Sequence, residues 1–279
     1  GRMVPSLMMK AIAESVYKNV IEPYNKSVDK TCWASYTGTY IGVLIMSKNY
    51  DFTFAQREEG FDDHIEHSIR GYTNLLEDVI SLSRNFVEDE TNVIDIGCST
   101  GKLTEAFIKG NQSFCKYANY VGIELAPSFF TELDARHKRI KTEYDWANVN
   151  FEKKDVRNYD FKNCSLVTSI FTLQFMPRKD RFNVLQNIYN GLNHGGAFIF
   201  AEKTVCEDSR LQEMITFNFY DYKRKHFEAS DILEKEKTLR NMLKPNTWKE
   251  LEGMLECAGF KTAQPFWRNH MFVGAIAIK

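Results

Sequence analysis

The stretch Asn92-Val93-Ile94-Asp95-Ile96-Gly97-Cys98-Ser99-Thr100-Gly101 decides the fold. A short apolar run enters a glycine-bearing turn, and a helical segment from Leu103 to Lys109 follows. A strand that turns tightly and reopens as a helix is the opening unit of an α/β sheet. Gly97 and Gly101 give the turn the backbone freedom to approach a ligand at the strand's carboxyl end. The pattern is Gly97-x-Ser99-x-Gly101, which misses the G-x-G-x-x-G spacing that cradles a pyrophosphate. Asp95 is placed either to order the turn or to reach a ligand's amino group through water.

Downstream, strands and helices alternate. Strands are expected at Tyr120 to Glu124, Asn148 to Lys153, Ser165 to Phe171 and Ala197 to Ala201, with helices around Ser128 to Ile140 and Arg178 to Leu192. That order implies right-handed crossovers and a mostly parallel sheet with both faces covered. A last helix, Thr247 to Ala258, stops at Gly259, a glycine cap. Thr262 to Lys279 then reads as two strands around Arg268-Asn269, an antiparallel hairpin ending the sheet. The expectation is a Rossmann-like class I methyltransferase fold with seven strands. Glu207 to Leu243 interrupts the alternation and is too long for an ordinary connection, so a helical insertion at 207–243 is expected.

Upstream, residues 7 to about 30 and Phe61 to Phe86 carry apolar positions at helical spacing, with a Gly- and Tyr-containing stretch from Tyr36 to Tyr50 between them. The chain is therefore read as a helical N-terminal lid region, 1–90, and a binding domain, 91–279.

The strand ends carry the ligand signals. Glu124 closes the second strand 29 residues after Asp95, where an acidic side chain takes ribose hydroxyls, and Leu125 follows it. Asp155, followed by Val156, is placed after the third strand to accept an adenine amino hydrogen while nearby backbone reads the ring edge. With no pyrophosphate cradle, these three signals in order point to S-adenosylmethionine (SAM), whose zwitterionic tail the Asp95–Gly101 loop would hold.

Composition limits the partners. Lys plus Arg number 36 against 37 for Asp plus Glu, so the phosphate grip of a nucleic-acid binder is not expected. Lys223-Arg224-Lys225 is the nearest basic cluster and reads as a solvated helix face. Six cysteines are scattered without CxxC or Cys/His spacing, which argues against a disulfide framework and against a bound metal. No apolar run reaches membrane-spanning length and no signal-peptide pattern is present, so a cytoplasmic protein without membrane contact is expected.

Several of these segments together carry a family likeness. Phe54 to Arg57, Ser68-Ile69-Arg70-Gly71-Tyr72, Asp95 to Ser99, Phe171-Thr172-Leu173-Gln174-Phe175, Gly195-Gly196-Ala197, Ala201-Glu202-Lys203 and Ala258-Gly259-Phe260 resemble the carboxy-S-adenosyl-L-methionine synthases, a family within the class I SAM-dependent methyltransferases. The resemblance covers about residues 51 to 279. It implies a homodimer that converts SAM and prephenate into carboxy-S-adenosyl-L-methionine for wobble-uridine modification of tRNA. It also implies cofactor contacts at Tyr72, Gly97, Cys98, Ser99, Glu124, Asp155 and Val156. Two positions depart from the family pattern: Ile170 stands where the family has asparagine, and Glu236 where it has an arginine that pairs with the added carboxylate. A carboxylate at 236 repels the group that the family must hold; Lys235, Lys237 or Arg240 could replace the arginine only if the helix shifted.

Methyl transfer needs alignment and exclusion of water more than covalent help, and a base only for a protonated nucleophile. The favoured expectation is a methyltransferase acting on a small carboxylate-bearing or aromatic molecule. Its substrate residues would come from Tyr220, Tyr222, Arg224, Glu236, Arg268 and His270, with Arg268 on a substrate carboxylate and His226 as base. A carboxy-S-adenosyl-L-methionine synthase and a non-catalytic SAM-binding module are the alternatives.

Overall fold

The computed structural model describes residues 61–279. Expectations for residues 1–60, including the helices at 7 to about 30, lie outside the described residues.

The stretch expected to be helical from Phe61 to Phe86 forms two helices, α1 (Phe61–Ser68) and α2 (Tyr72–Ser83), broken at Gly71, whose φ is 77°. Asp62 and Asp63 in the first turn of α1 and His67 in its last match the helix dipole. Leu75, Leu76 and Val79 of α2 face inward.

The sheet begins with β1 (Asn92–Ile96) and continues through α3 (Lys102–Asn111), β2 (Asn119–Glu124), α4 (Phe130–Glu143), β3 (Asn148–Lys153), β4 (Cys164–Ile170), α5 (Arg178–Gly191) and β5 (Leu192–Val205). The insertion contributes α6 (Ser209–Lys223) and α7 (Ala229–Met242). A two-residue β6 (Asn246–Thr247), α8 (Trp248–Ala258), β7 (Ala263–Asn269) and β8 (Phe272–Ile278) complete the chain. The order β3-β2-β1-β4-β5-β8-β7 is parallel through β5, and β8 then runs antiparallel to both β5 and β7. β6 adds a short parallel pairing to the end of β5, at Thr204 and Val205.

Alternate residues along each strand face opposite layers. Val93, Leu166 and Ile199 pack with Val79, Phe107 and Ile108 on one face. Ile94, Val167 and Phe198 pack with Val184, Ile188 and Leu255 on the other. Burial on both faces explains why the strands read as nearly continuous apolar runs. α8 opens with a capping box between Thr247 and Glu250 and stops at Gly259, as expected.

The fifth strand is the main difference from the sequence reading, extending well beyond Ala197–Ala201 on both sides. Its flanks are held by ladder partners, Leu192 opposite Cys164 of β4 and Lys203 opposite Phe272 of β8, and that pairing does not depend on side-chain hydrophobicity. Strand order reverses between β1 and β4, and the crevice outside their carboxyl ends is where such sheets bind ligands.

Candidate active site

The loop after β1 holds three left-handed residues, Gly97 (φ 67°), Ser99 (φ 48°) and Gly101 (φ 76°). Any Cβ at Gly97 would clash with Thr172, and one at Gly101 would press on Phe151 and Arg136. Glycine is therefore required at both by conformation and by space. Amide donors of Gly97 and Cys98 reach the Ile123 carbonyl at 2.7 and 3.1 Å, tying the loop to β2. Cys98 is buried with its thiol packed toward Gly122, and burial pushes its pKa well above the ordinary range.

Of the two roles open to Asp95, the structure shows the ordering one. Its carboxylate is buried and accepts the hydroxyls of Thr104 and Thr168, each at 2.9 Å. Burial pushes its pKa up to about 6 and the two hydroxyls pull the other way.

Glu124 ends β2 with its carboxylate turned toward the loop. Oε2 accepts the Ser99 N–H at 3.0 Å, and Oε1 accepts those of Leu125 and Ala126 at 2.8 Å. Burial raises its pKa against these three hydrogen bonds. A carboxylate has about four acceptor positions, so Oε2 keeps one for a ligand hydroxyl. Leu125 beside it is 53% exposed, an apolar surface facing out at a strand end. Asp155 caps the turn after β3, accepting the Arg157 N–H at 3.0 Å, and the Arg157 guanidinium lowers its pKa. Val156 is buried behind it.

Tyr72 opens α2 with its ring 6.2 Å from that of Phe171, and burial together with Asp62, Asp95 and Glu66 raises its pKa. Ile170 at the end of β4 is half-buried against the same core. The positions expected to hold the cofactor thus gather at the carboxyl ends of β1 to β4, and their mixture of hydroxyl acceptors, apolar surface and a glycine turn fits an adenosyl ligand.

The insertion positions sort differently. The rings of Phe171, Phe272 and Phe219 form a chain, each step 5.5 Å, that continues to His270 at 5.6 Å. Tyr222 lies 6.0 Å from His270 and 5.4 Å from His226, and its hydroxyl donates to the Glu66 carbonyl at 3.3 Å. His270 has a depressed pKa from burial and from Arg70, and its Nδ1 is buried without a hydrogen-bond partner among the described residues. His226 is exposed and stacks on His67 at 4.7 Å. Tyr220 is half-buried beside Glu236, which with burial raises its pKa. Arg224 is exposed at the end of α6, and Arg268 is exposed on β7 with its guanidinium 5.6 Å from the Trp248 ring. Trp248 packs with the α5–α8 face, so Arg268 is not gathered with the aromatic chain.

Glu236 lies between two lysines: Lys223 Nζ at 3.6 Å and Lys203 Nζ at 3.9 Å. None of the three cations considered as substitutes takes that place. Lys235 instead reaches Ser68 at 3.3 Å and contacts His64, Lys237 pairs with Glu234 at 2.6 Å, and Arg240 is exposed. The solvated reading of Lys223-Arg224-Lys225 is corrected at its first residue. Lys223 is 2% exposed, its amine 5.2 Å from the Phe219 ring, because α6 turns this position inward.

The sequence reading missed four contributors. Thr172, inside the FTLQF segment, fills the space over Gly97 and donates to the Ile96 carbonyl at 3.1 Å. Asp62 of α1 accepts the Thr100 hydroxyl at 3.1 Å, and Glu66 pairs with Lys102 at 3.2 Å, so α1 touches the cofactor loop. Arg136 of α4 donates to the Thr100 carbonyl from behind. Helical periodicity located α1 but carries no sign of which loop it meets.

Among the described residues no cluster of metal-ligating side chains occurs and no helix is long and apolar enough to cross a membrane.

The family described as a methyltransferase domain matches residues 94–198. A carboxy-S-adenosyl-L-methionine synthase of Staphylococcus epidermidis is 36% identical over 232 residues, which are 82% of this chain and 97% of that protein. A protein of the same name from Vibrio parahaemolyticus is 30% identical, over 82% of this chain and 92% of its own. Human N-acetylserotonin methyltransferase in complex with SAM shares the fold, with a TM-score of 0.51, 14% identity, and coverage of 75% of this chain and 52% of that one.

Proposed function

The chain belongs to the carboxy-S-adenosyl-L-methionine synthase family of SAM-dependent transferases, and from that premise we propose a methyltransferase acting on a small carboxylate-bearing or aromatic molecule. The observation that carries this reading is the placement of Glu236 between Lys203 and Lys223. A carboxylate there occupies the two nearby amines and disfavours a further carboxylate on the cofactor.

SAM supplies an activated methyl group on a sulfonium when bound. In this proposal Glu124 takes the ribose hydroxyls through the open position on Oε2, Leu125 covers the adenine face, and Asp155 with Val156 reads its edge. The amides and glycines of the loop, Gly97, Cys98, Ser99 and Gly101, hold the amino-acid tail, with Asp95 bracing the turn and Tyr72 and Ile170 walling it. The acceptor lies along the Phe171–Phe272–Phe219 chain, near Tyr220, Tyr222 and Glu236. His270 suits the base better than His226: its depressed pKa keeps the imidazole neutral near pH 7, ready to accept a proton. Arg224 and Arg268 are not assigned a substrate contact.

Residues 61–90 act as part of a lid. α1 bonds the cofactor loop through Asp62 and the insertion through Tyr222 and Lys235, so closing one closes the other. Leu211, Met214 and Phe217 repeat along α6 and are each more than half exposed, which supports a homodimer. A cytoplasmic location without direct nucleic-acid contact completes the reading.

A second reading, carboxy-S-adenosyl-L-methionine synthesis, is favoured by 36% identity across 97% of the Staphylococcus relative. The test is a panel of small carboxylates and aromatic hydroxyl compounds with methyl-labelled SAM. Label in at least one acceptor, with S-adenosylhomocysteine released, is expected. Turnover with none of them, beside a carboxylated nucleoside co-purifying with the protein, would reject the proposal.

A further inference from the structure

The segment after β4, residues 171–176, reaches over Gly97, yet much of what holds it comes from the opposite side. Glu202 of β5 is 2% exposed, and the backbone N–H groups of Leu173 and Gln174 face its carboxylate. Arg181 of α5 is as deeply buried and donates to the carbonyls of Gln174 at 3.1 Å and Met176 at 2.8 Å. Another of its nitrogens donates to Asn246. The Gln174 side chain returns to the sheet, its Oε1 accepting the Lys203 N–H at 2.7 Å.

This arrangement is costly as plain core. Glu202 and Arg181 line a cavity otherwise made of Leu185, Phe198, Phe200 and similar apolar side chains. One Glu202 oxygen, Oε1, is buried without a hydrogen-bond partner among the described residues. Burial raises the Glu202 carboxyl to about 8 and lowers the Arg181 pKa, each charge resisting its surroundings. Apolar residues of similar size would generally stabilise such a site more. What an acid and a guanidinium add is directional acceptors and donors for a segment whose regular structure is the single 3-10 turn Leu173–Phe175.

The clamped segment leads straight to the cofactor side. Thr172 fills the space over Gly97 and donates to Ile96. Phe171 sits at φ 56°, its N–H bound to the Ala201 carbonyl at 2.7 Å and its ring facing Tyr72. We propose that Glu202 and Arg181 are positioning residues for SAM binding, fixing 171–176 so that Phe171 and Thr172 form one wall of the cofactor site. This holds whichever acceptor the enzyme uses and depends only on SAM as ligand.

The test measures SAM affinity of the full chain, with amide hydrogen exchange at residues 171–176. E202Q keeps an oxygen acceptor for the two amides, whereas E202A removes it. At a temperature where circular dichroism shows each variant folded, E202A is expected to bind SAM at least tenfold more weakly and to exchange faster at Leu173 and Gln174. E202Q should stay within about threefold of wild type. Wild-type affinity in E202A, or an equal loss in E202Q, would overturn the proposal. Should E202A not fold, the wild-type chain decides: SAM must slow exchange at Leu173 and Gln174, although those amides face away from it. Unchanged exchange overturns the proposal.

Discussion

The carboxyl ends of β1 and β2 and the insertion α6–α7 both hold buried or half-buried carboxylates, and they do so in opposite ways. Asp95 and Glu124 are fixed by hydroxyls and backbone amides at 2.8–3.0 Å. Glu236 instead faces the ends of two lysine side chains, at 3.6 and 3.9 Å. The first arrangement is rigid and preset for one ligand, since backbone donors cannot relocate. The second is a charge balance on flexible stems, which a single substitution or a bound acceptor readily shifts. On the proposed reading, the contrast separates two jobs in this chain: cofactor recognition built into backbone, and reaction choice resting on side-chain charge.

The contrast breaks first at Gly97. G97A must force Thr172 aside and hold a left-handed backbone, so a loss of SAM affinity of about 100-fold, roughly 2.7 kcal/mol, is expected in calorimetry. Near-native binding would show that the loop is not preset. E124A leaves the Ser99, Leu125 and Ala126 amides without their acceptor and removes the proposed ribose contact, for an expected loss of about 30-fold.

E236Q sharpens the other side. SAM affinity should change by less than about twofold, while thermal unfolding reports roughly 1–3 kcal/mol lost because the carboxylate beside buried Lys223 is neutralised. A large fall in SAM affinity would erase the division between the two regions.

The pH dependence follows from Glu202. Its folded pKa of about 8 lies above its ordinary 4.5, so between those values the native state holds a proton that the unfolded chain releases. Stability therefore falls as pH rises through that window, by a few kcal/mol at most, and E202Q should flatten the slope in urea titrations. The smallest effect belongs to R268A, which should lower stability by less than about 1 kcal/mol and leave SAM binding unchanged.

What could be read in the chain depended on the range of the forces involved. β1 is legible as its apolar run, because burial on both faces writes itself into consecutive residues. The glycine turn was legible for the same local reason, as left-handed backbone restricts the residue type at Gly97 and Gly101. β6 was not, since two residues paired to the end of a long strand leave no pattern. Lys223 was misread because charge suggests exposure, and only the packing of α6 against the Glu236 carboxylate turns it inward. Thr172, Asp62 and Arg136 were invisible as site residues, for their partners lie 36 to 76 positions away. Residue 236 stood out as a departure from the family, but its lysine neighbours emerged only in three dimensions.

The most direct test of the account is the mass of the nucleoside formed when the protein is incubated with SAM and prephenate. The Lys203–Glu236–Lys223 arrangement predicts unaltered SAM with no carboxylated product. Carboxy-S-adenosyl-L-methionine in that mixture would contradict it and restore the reaction named for its relatives.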